Sequence, residues 1–495
     1  MPRFAQIALM VSILAIANVS AFAATYTVTK TADTNDGTCD ADCSFREAVV
    51  AANATVDNDT IVFSSLFNTQ QTIVLSLGEV AIANNGTLTI QGPGAGNLTL
   101  DGNQGSRILV TGANVVANVD GIRFTRGNGV GTVNTGRGGA IYNVGGTMVL
   151  SNSILVNNTA ANGGAMNNAA SASPSVPANL TIINCIFDGN SSTSSGGALQ
   201  NFSTSTVHIR GTSVINNTSN GTGIAGAFQA NGTVTITNST FSGNASPAGT
   251  GGGVYFNGTN LIMTNTTITA NSSLNGGGGL HRSATTLVGN VRNTIIAGNS
   301  GAAATPDVSG TITSQGNNLI GNVGTSLGWV ASDILNQPAN LGPLAANGGP
   351  TPTHALLPGS PALDAGNNCV IDLSCGTANP PVPVNVDQRG SSRPAGPTVD
   401  IGSVEQAAPV RIAGRVLVQP GQGNPRAVVT ISDGGSLSVT VPVSSFGYFS
   451  FESIPAGVEY TVSVSSKMAP YAPQLITPSA DITDMEFLPA IMMKH

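Results

Sequence analysis

Six copies of one pattern recur through the middle of this 495-residue chain: an asparagine, two small or apolar residues, a large apolar residue, two variable positions and a second asparagine. The copies begin at Asn152, Asn184, Gly211, Asn238, Asn265 and Asn293, in steps of 32, 27, 27, 27 and 28 residues. They end at Asn158, Asn190, Asn217, Asn244, Asn271 and Asn299. A near-constant period of this length marks a small supersecondary unit stacked on copies of itself.

Inside each copy the apolar residues alternate with period two, as Leu180, Ile182 and Val234, Ile236 do, so the unit is built of strands rather than helices. Leu150, Ile182, Ile209, Ile236, Met263 and Val291 stand two residues before the leading position. Leu155, Phe187, Val214, Phe241, Ile268 and Ile296 stand three after it, and both columns are expected to face a core. Glycine pairs such as Gly138-Gly139, Gly163-Gly164 and Gly196-Gly197 lie between copies and suit corners that lead into a third short strand. One such unit cannot bury its own apolar face, but coiling many of them stacks equivalent strands in parallel around one core. The pattern therefore predicts an all-β chain, a right-handed parallel β-helix. The leading asparagines Asn152, Asn184, Asn238, Asn265 and Asn293 are expected to form an inward ladder of stacked amides along its axis.

An open solenoid must cover its ends. Ser44-Phe45-Arg46-Glu47 is a capping box, which predicts a short apolar helix from Phe45 over the first coil, with Arg46 and Glu47 as structural residues. At the far end Trp329, the only tryptophan, is expected to plug the core, and the Pro-rich stretch from Pro380 to Pro397 reads as extended and poorly structured. From Arg411 onward short strands separated by turn residues predict a small antiparallel β-sandwich. The resulting division is a leader (1–23), an N-terminal cap (24–57), β-helix repeats (58–300), a C-terminal part of the helix with a linker (301–405) and the sandwich (410–490).

Only 8% of residues are charged, the net charge is −7, and no lysine occurs between Lys30 and Lys467, so nucleic acid and anionic lipid are not expected partners. The apolar run Ala5 to Val19, followed by Ala21-Phe22-Ala23, has the form of a secretory leader cleaved near Ala23, and no later segment is expected to cross a membrane as a helix. Export is compatible with disulfides, and Cys39 with Cys43 and Cys369 with Cys375 are close enough to close two small loops. Cys185 shares a repeat column with Ser153, Thr212, Ser239, Thr266 and Thr294, which predicts a small buried residue rather than a reactive thiol.

Several segments also resemble known families. Gly138-Gly-Ala-Ile141 with Phe187-Asp-Gly-Asn190 and Phe241-Ser-Gly-Asn244 is similar to the repeats of polymorphic outer-membrane proteins and related pectin-lyase-like β-helices. Thr25 to Asn53, with Cys43-Ser-Phe-Arg-Glu-Ala48, resembles the bacterial CSLREA domain. Gly316-Asn-Asn-Leu-Ile-Gly321 through Gly348-Gly-Pro-Thr-Pro-Thr-His354 and Asp387-Gln-Arg-Gly390 to Asp400-Ile-Gly402 resembles the choice-of-anchor Q domain. Phe446-Gly-Tyr-Phe-Ser-Phe451 with Ile454-Pro-Ala-Gly457 resembles the carboxypeptidase-regulatory-like module of exported bacterial proteins, which implies no peptidase activity here.

Enzymes on β-helices use clustered carboxylates, for a cation or for glycoside hydrolysis. Between residues 101 and 300 the only acidic residues are Asp101, Asp120 and Asp188. Asp101 and Asp120 each precede a glycine in a turn pair. No catalytic, cofactor or metal residue is assigned, and no cofactor is expected. His208 with Arg210 and His281 with Arg282 are the candidate binding residues, for an acidic sugar, against the plainer reading of a solvated face. The expected function is adhesion or recognition of polysaccharide or surface protein by an exported bacterial protein at the cell surface or outside the cell, without catalysis. The alternatives are a polysaccharide lyase or glycoside hydrolase, and a structural spacer. The oligomeric state is left open.

Overall fold

The structure, a computed structural model, describes residues 23–83, 86–222, 226–283, 288–302, 304–376, 380–406, 409–435, 437–456, 458–478 and 480–490. All but Ala23 of the expected leader lies outside them. The chain is a right-handed parallel β-helix followed by a small region of mostly antiparallel sheet. It divides into two compact units, Met1–Val207 with Thr218–Asn220 and His208–Asn217 with Gly221–His495.

In the first unit each coil contributes a strand to each of three parallel sheets, as in Thr147–Ser151, Ile154–Val156 and Met166–Ala169. A fourth, short sheet formed by Thr159–Asn162, Ser191–Ser195 and Thr218–Ser219 follows the closing asparagines, where the sequence suggested only a corner. Register is in step from coil to coil: Leu150 pairs with Ile182, and Leu155 with Phe187. Both predicted apolar columns are buried in this unit, and the glycine pairs form the expected corners. A Cβ on Gly139 would lie 2.1 Å from the Gly164 carbonyl oxygen, so any side chain there would force the coils apart.

The first coil is covered by the helix Phe45–Asn53. Ser44 Oγ accepts the Glu47 N–H at 3.1 Å, and Glu47 Oε2 accepts the Ser44 N–H at 2.7 Å. Arg46 pairs with Asp33 at 2.7 Å and donates to the carbonyls of Gly78 and Glu79, which ties the cap to the loop below it. Phe45, Ala48, Val49 and Ala52 are the buried face, each adding the stabilisation of apolar area removed from water. Cys39 is bonded to Cys43 in the loop before the helix.

The second unit likewise has parallel sheets, built from strands such as Thr233–Thr237, Thr240–Ser242 and Val254–Phe256. Leu319–Ile320 and Ile334–Leu335 are the last strands stacked on the second sheet. Trp329 is not a plug: it is only partly buried and its Nε1 donates to Ser326 Oγ at 3.1 Å. The stack runs on instead through Leu319–Ile320 to Ile334–Leu335, because the parallel register carries the apolar column two strands further than the repeat pattern is recognisable.

Beyond these coils Leu341–Ala345 and Thr353–Leu356 form an antiparallel hairpin. Two four-stranded sheets, one led by Val410–Gln419 and one by Ala427–Ser432, enclose a core that includes Ile412, Val429, Phe451, Val462 and Phe487. The expected antiparallel pairs are present, with one addition: Ile482–Phe487 pairs parallel to Val410–Gln419. Cys369 is bonded to Cys375. Among the described residues no helix is long and apolar enough to cross a membrane.

Candidate functional site: the walls of the solenoid

The two asparagines of the repeat have different roles, and the expected ladder is in the wrong column. Asn152, Asn184, Asn238, Asn265 and Asn293 have φ between 46° and 53°, and Gly211 has φ of 63°. They are left-handed corner residues between the first and second sheets, a conformation that asparagine tolerates and glycine adopts freely. Their mutual amide contacts are long, 3.5 Å from Asn184 to Asn152 and 3.4 Å from Asn293 to Asn265. A residue with positive φ turns the chain, so the strand's alternation cannot be extended through it.

The closing asparagines form the buried ladder. Asn217 donates its main-chain N–H and its Nδ2 to Asn244 Oδ1 at 2.9 and 3.0 Å, Asn244 does the same to Asn271, and Asn271 to Asn299. Asn299 then donates both groups to Asp307 Oδ1 at 2.8 and 2.9 Å, so the donors of the row point at a carboxylate. In the first unit Asn158 and Asn190 are joined in the same way. A second inward row there, Thr111, Asn143, Asn168 and Asn201, was not anticipated from the sequence. Cys185 is buried in its column, its thiol held near the Ile183 carbonyl, and burial pushes its pKa up to about 12.

The four candidate binding residues do not form one site. His208 and Arg210 lie at outward positions of Thr206–Arg210, with Arg210 exposed and His208 held below its ordinary pKa by burial. His281 points outward from a different strand, Leu280–Arg282, and stacks on Tyr255 with centroids 5.1 Å apart. Arg282 is a correction: Leu280 faces the core, so Arg282, two residues on, does too. Its side chain lies over Gly289 and donates through Nη1 to the Thr311 carbonyl. The absent side chain at Gly289 makes the room that Arg282 fills.

The second wall of the second unit is occupied by the chain itself. Parts of 341–376 and 380–405 lie along the outward hydroxyl column Ser213, Thr240, Thr267, which is in register from coil to coil. Ser213 Oγ donates to the Pro352 carbonyl at 2.6 Å, Thr240 Oγ1 to Gln388 Oε1 at 2.7 Å, and Ser403 meets Thr267 Oγ1 at 3.1 Å. The corner asparagines take part: Asn238 donates to the Val386 carbonyl, Asn265 to that of Asp400, and Asn293 to that of Asn367. Ser242 Oγ meets His354 Nε2 at 2.9 Å while His354 Nδ1 donates to the Gly342 carbonyl at 2.8 Å, which fixes the tautomer. Both residues are buried, so the pair is a latch, and burial holds the imidazole below its ordinary pKa despite that carbonyl.

The strap is locked by a buried ionic cluster, so the stretch from Pro380 to Pro397 is not poorly structured. Arg393 and Glu405 are fully buried and 2.7 Å apart, and Arg393 also donates to the carbonyls of Asp400 and Gly402. Asp387 accepts from the N–H groups of Arg389, Ser391 and Glu405 and from Arg389 Nε. Asp400 accepts from Asp364 N and Gln406 N; burial, with the Glu405 charge beside it, pushes its pKa up to about 7. These carboxylates are committed to backbone donors and to two arginines, Arg389 and Arg393, which is the work of a knot rather than of proton transfer.

The three acids between residues 101 and 300 are separated. Asp101 and Asp188 share one outward column, linked in register through Thr125 and Val156, so three strand spacings, about 14 Å, lie between them. That exceeds the roughly 5–9.5 Å between the carboxyl groups of glycosidases. Asp120 stands on another sheet and accepts from Ser151 and Asn152. Among the described residues no group of three His, Cys, Asp or Glu side chains is placed to hold a metal ion. Compared with family models, curated proteins and solved structures, the chain matches none of them.

Proposed function

We propose that this is an exported, non-catalytic β-helix protein that recognises extended polymers, carbohydrate or polypeptide, along its flat walls at the cell surface or outside the cell. The observation that carries this reading is the strap. Turns and loops of the chain itself are held on a wall by a periodic row of hydroxyls and corner amides, with backbone carbonyls as their main acceptors. In the first unit the corresponding corner amide Asn152 is exposed, and Asn184 is partly so. The outward row Thr89, Asn118, Val149, Thr181, in register across four coils, is partly exposed as well. A mostly polar row of this kind, on the first sheet rather than the second, suits a repeating polymer, since each coil offers one position a strand spacing further on.

The resemblances to the CSLREA, choice-of-anchor Q and polymorphic outer-membrane-protein families support export, as does the leader-like start of the chain. The separation of Asp101 from Asp188 and the commitment of Asp387, Asp400 and Glu405 to backbone donors weigh against the lyase or hydrolase reading. The test is retention of the purified chain by a panel of immobilised polysaccharides and matrix proteins, with Asn118→Lys and Thr181→Lys as wall variants. Retention lost in both variants without loss of fold supports the proposal; retention by nothing, or unaffected by either charge, contradicts it.

A further inference from the structure

A cavity of about 540 Å³ opens in the second unit where residues 338–341 cross the corner at 297–299. Its size lies within the range of small-ligand sites, ~300–1,000 Å³. Ala297, Pro306, Pro338 and Leu341 supply apolar lining, and none of the lining residues carries a positive charge. Asp307 also lines the cavity, as the last acceptor of the asparagine ladder. Its Oδ1 is taken by Asn299, whereas Oδ2 accepts one N–H, from Asn322 at 2.7 Å. A carboxylate oxygen has two lone-pair directions, so Oδ2 retains capacity for a hydroxyl donor.

Two further groups are available beside it. Thr269 Oγ1 makes no hydrogen bond to a described residue and lies next to Gly298, where a Cβ would come within 3.3 Å of it. Asn322 uses Oδ1 to accept the Gly324 N–H at 3.0 Å, which leaves its amide N–H groups without a described partner. One acceptor, one hydroxyl and one amide donor beside proline and leucine surfaces match a molecule with hydroxyl edges and C–H faces. An anion would meet the Asp307 charge with no cation to offset it.

From this geometry we infer that the cavity is a subsite for a neutral saccharide unit, and not for a uronic acid. The inference rests on the polymer-recognition reading and narrows its ligand class. It also gives the amide ladder a purpose beyond the core, since its donors hold the acceptor that the ligand would meet. The experiment is titration of the full chain with cellobiose, maltose, xylobiose and digalacturonate, followed by calorimetry and saturation-transfer NMR, on the wild type, Thr269→Val and Asn322→Asp. Thr269→Val keeps the shape and removes only the hydroxyl, and Asn322→Asp keeps the acceptor for Gly324 while adding charge. At least one neutral disaccharide is expected to saturate while digalacturonate does not, with each variant weakening binding about fivefold or more, the loss of one net hydrogen bond. Unchanged melting curves would show that the variants are folded.

Absence of saturable binding by every neutral disaccharide, equal binding of digalacturonate, or indifference to both substitutions would overturn the inference. If polymer retention persists with its dependence on Asn118 and Thr181 while disaccharides fail, the subsite alone is wrong. If both fail, so does the reading beneath it.

Discussion

Asn244 gives both its main-chain N–H and its side-chain Nδ2 to a single atom, Asn271 Oδ1, at 3.0 and 2.8 Å. The same amide receives both donors of Asn217 and, through Nδ2, caps the Val214 carbonyl. Asn244→Ala therefore strands several buried polar groups at once and is expected to cost about 3 kcal/mol or more. Asn184→Gly alters a corner where the equivalent position is already Gly211, and should stay within about 1 kcal/mol. Denaturant unfolding of the two variants measures the difference; equal losses would mean that the two columns are equivalent.

Arg393 is the only cation among the buried carboxylates of Asp387, Asp400 and Glu405 to be fully buried with them. Arg393→Met leaves uncompensated charge and should destabilise the strap by roughly 3–5 kcal/mol. Arg393→Lys, which cannot reach Glu405 and the two carbonyls together, should fall between. Limited proteolysis reports it: cleavage between residues 380 and 406 is expected to accelerate in the order wild type, Lys, Met, while the coils up to residue 300 stay protected.

Burial would raise the pKa of Glu47, but hydrogen bonds from Ser44 N, Thr34 Oγ1 and Asp36 N outweigh it and hold the carboxyl at about 2. A depressed carboxylate contributes stability that is present above its unfolded pKa, about 4.5, and is lost as pH falls toward 2. Hydrogen exchange in the helix Phe45–Asn53 should accelerate across that window. In Glu47→Gln the protection should be lower at neutral pH and should lose this acid dependence; an unchanged profile would remove Glu47 from the cap.

Cys185 should resist alkylation in the folded chain at pH 8, since burial pushes its thiol up to about 12. Cys185→Thr reproduces the residue at Thr212, Thr266 and Thr294 and should leave stability within about 1 kcal/mol. Rapid labelling without denaturant would contradict the packing of this column.

The coil was legible in the sequence because strand alternation and the apolar columns are local and repeated. The role of the two asparagines was not, because one residue type serves both the left-handed corner and the inward amide row. Gly211 was the available signal, since glycine replaces a positive-φ residue but cannot replace a ladder amide. Arg282 could have been placed from Leu280 by alternation alone, had it not been grouped with His281 as a charge pair. The strap was invisible for another reason: Gln388 to Ser213 and Ser403 to Thr240 join positions 175 and 163 residues apart, and no local pattern encodes such partners. Polar, proline-rich composition looked like disorder because its order comes from buried ions and from a few scattered apolar residues, such as Val370, Val384 and Val399, that show no periodic pattern.

The most direct measurement combines binding and turnover: the purified chain is incubated with a polysaccharide panel while retention and release of reducing or unsaturated ends are followed together. Saturable retention on one or more polymers, with no product above a heat-denatured control, is the predicted result. Time-dependent product from any of them would contradict a wall that recognises without cutting.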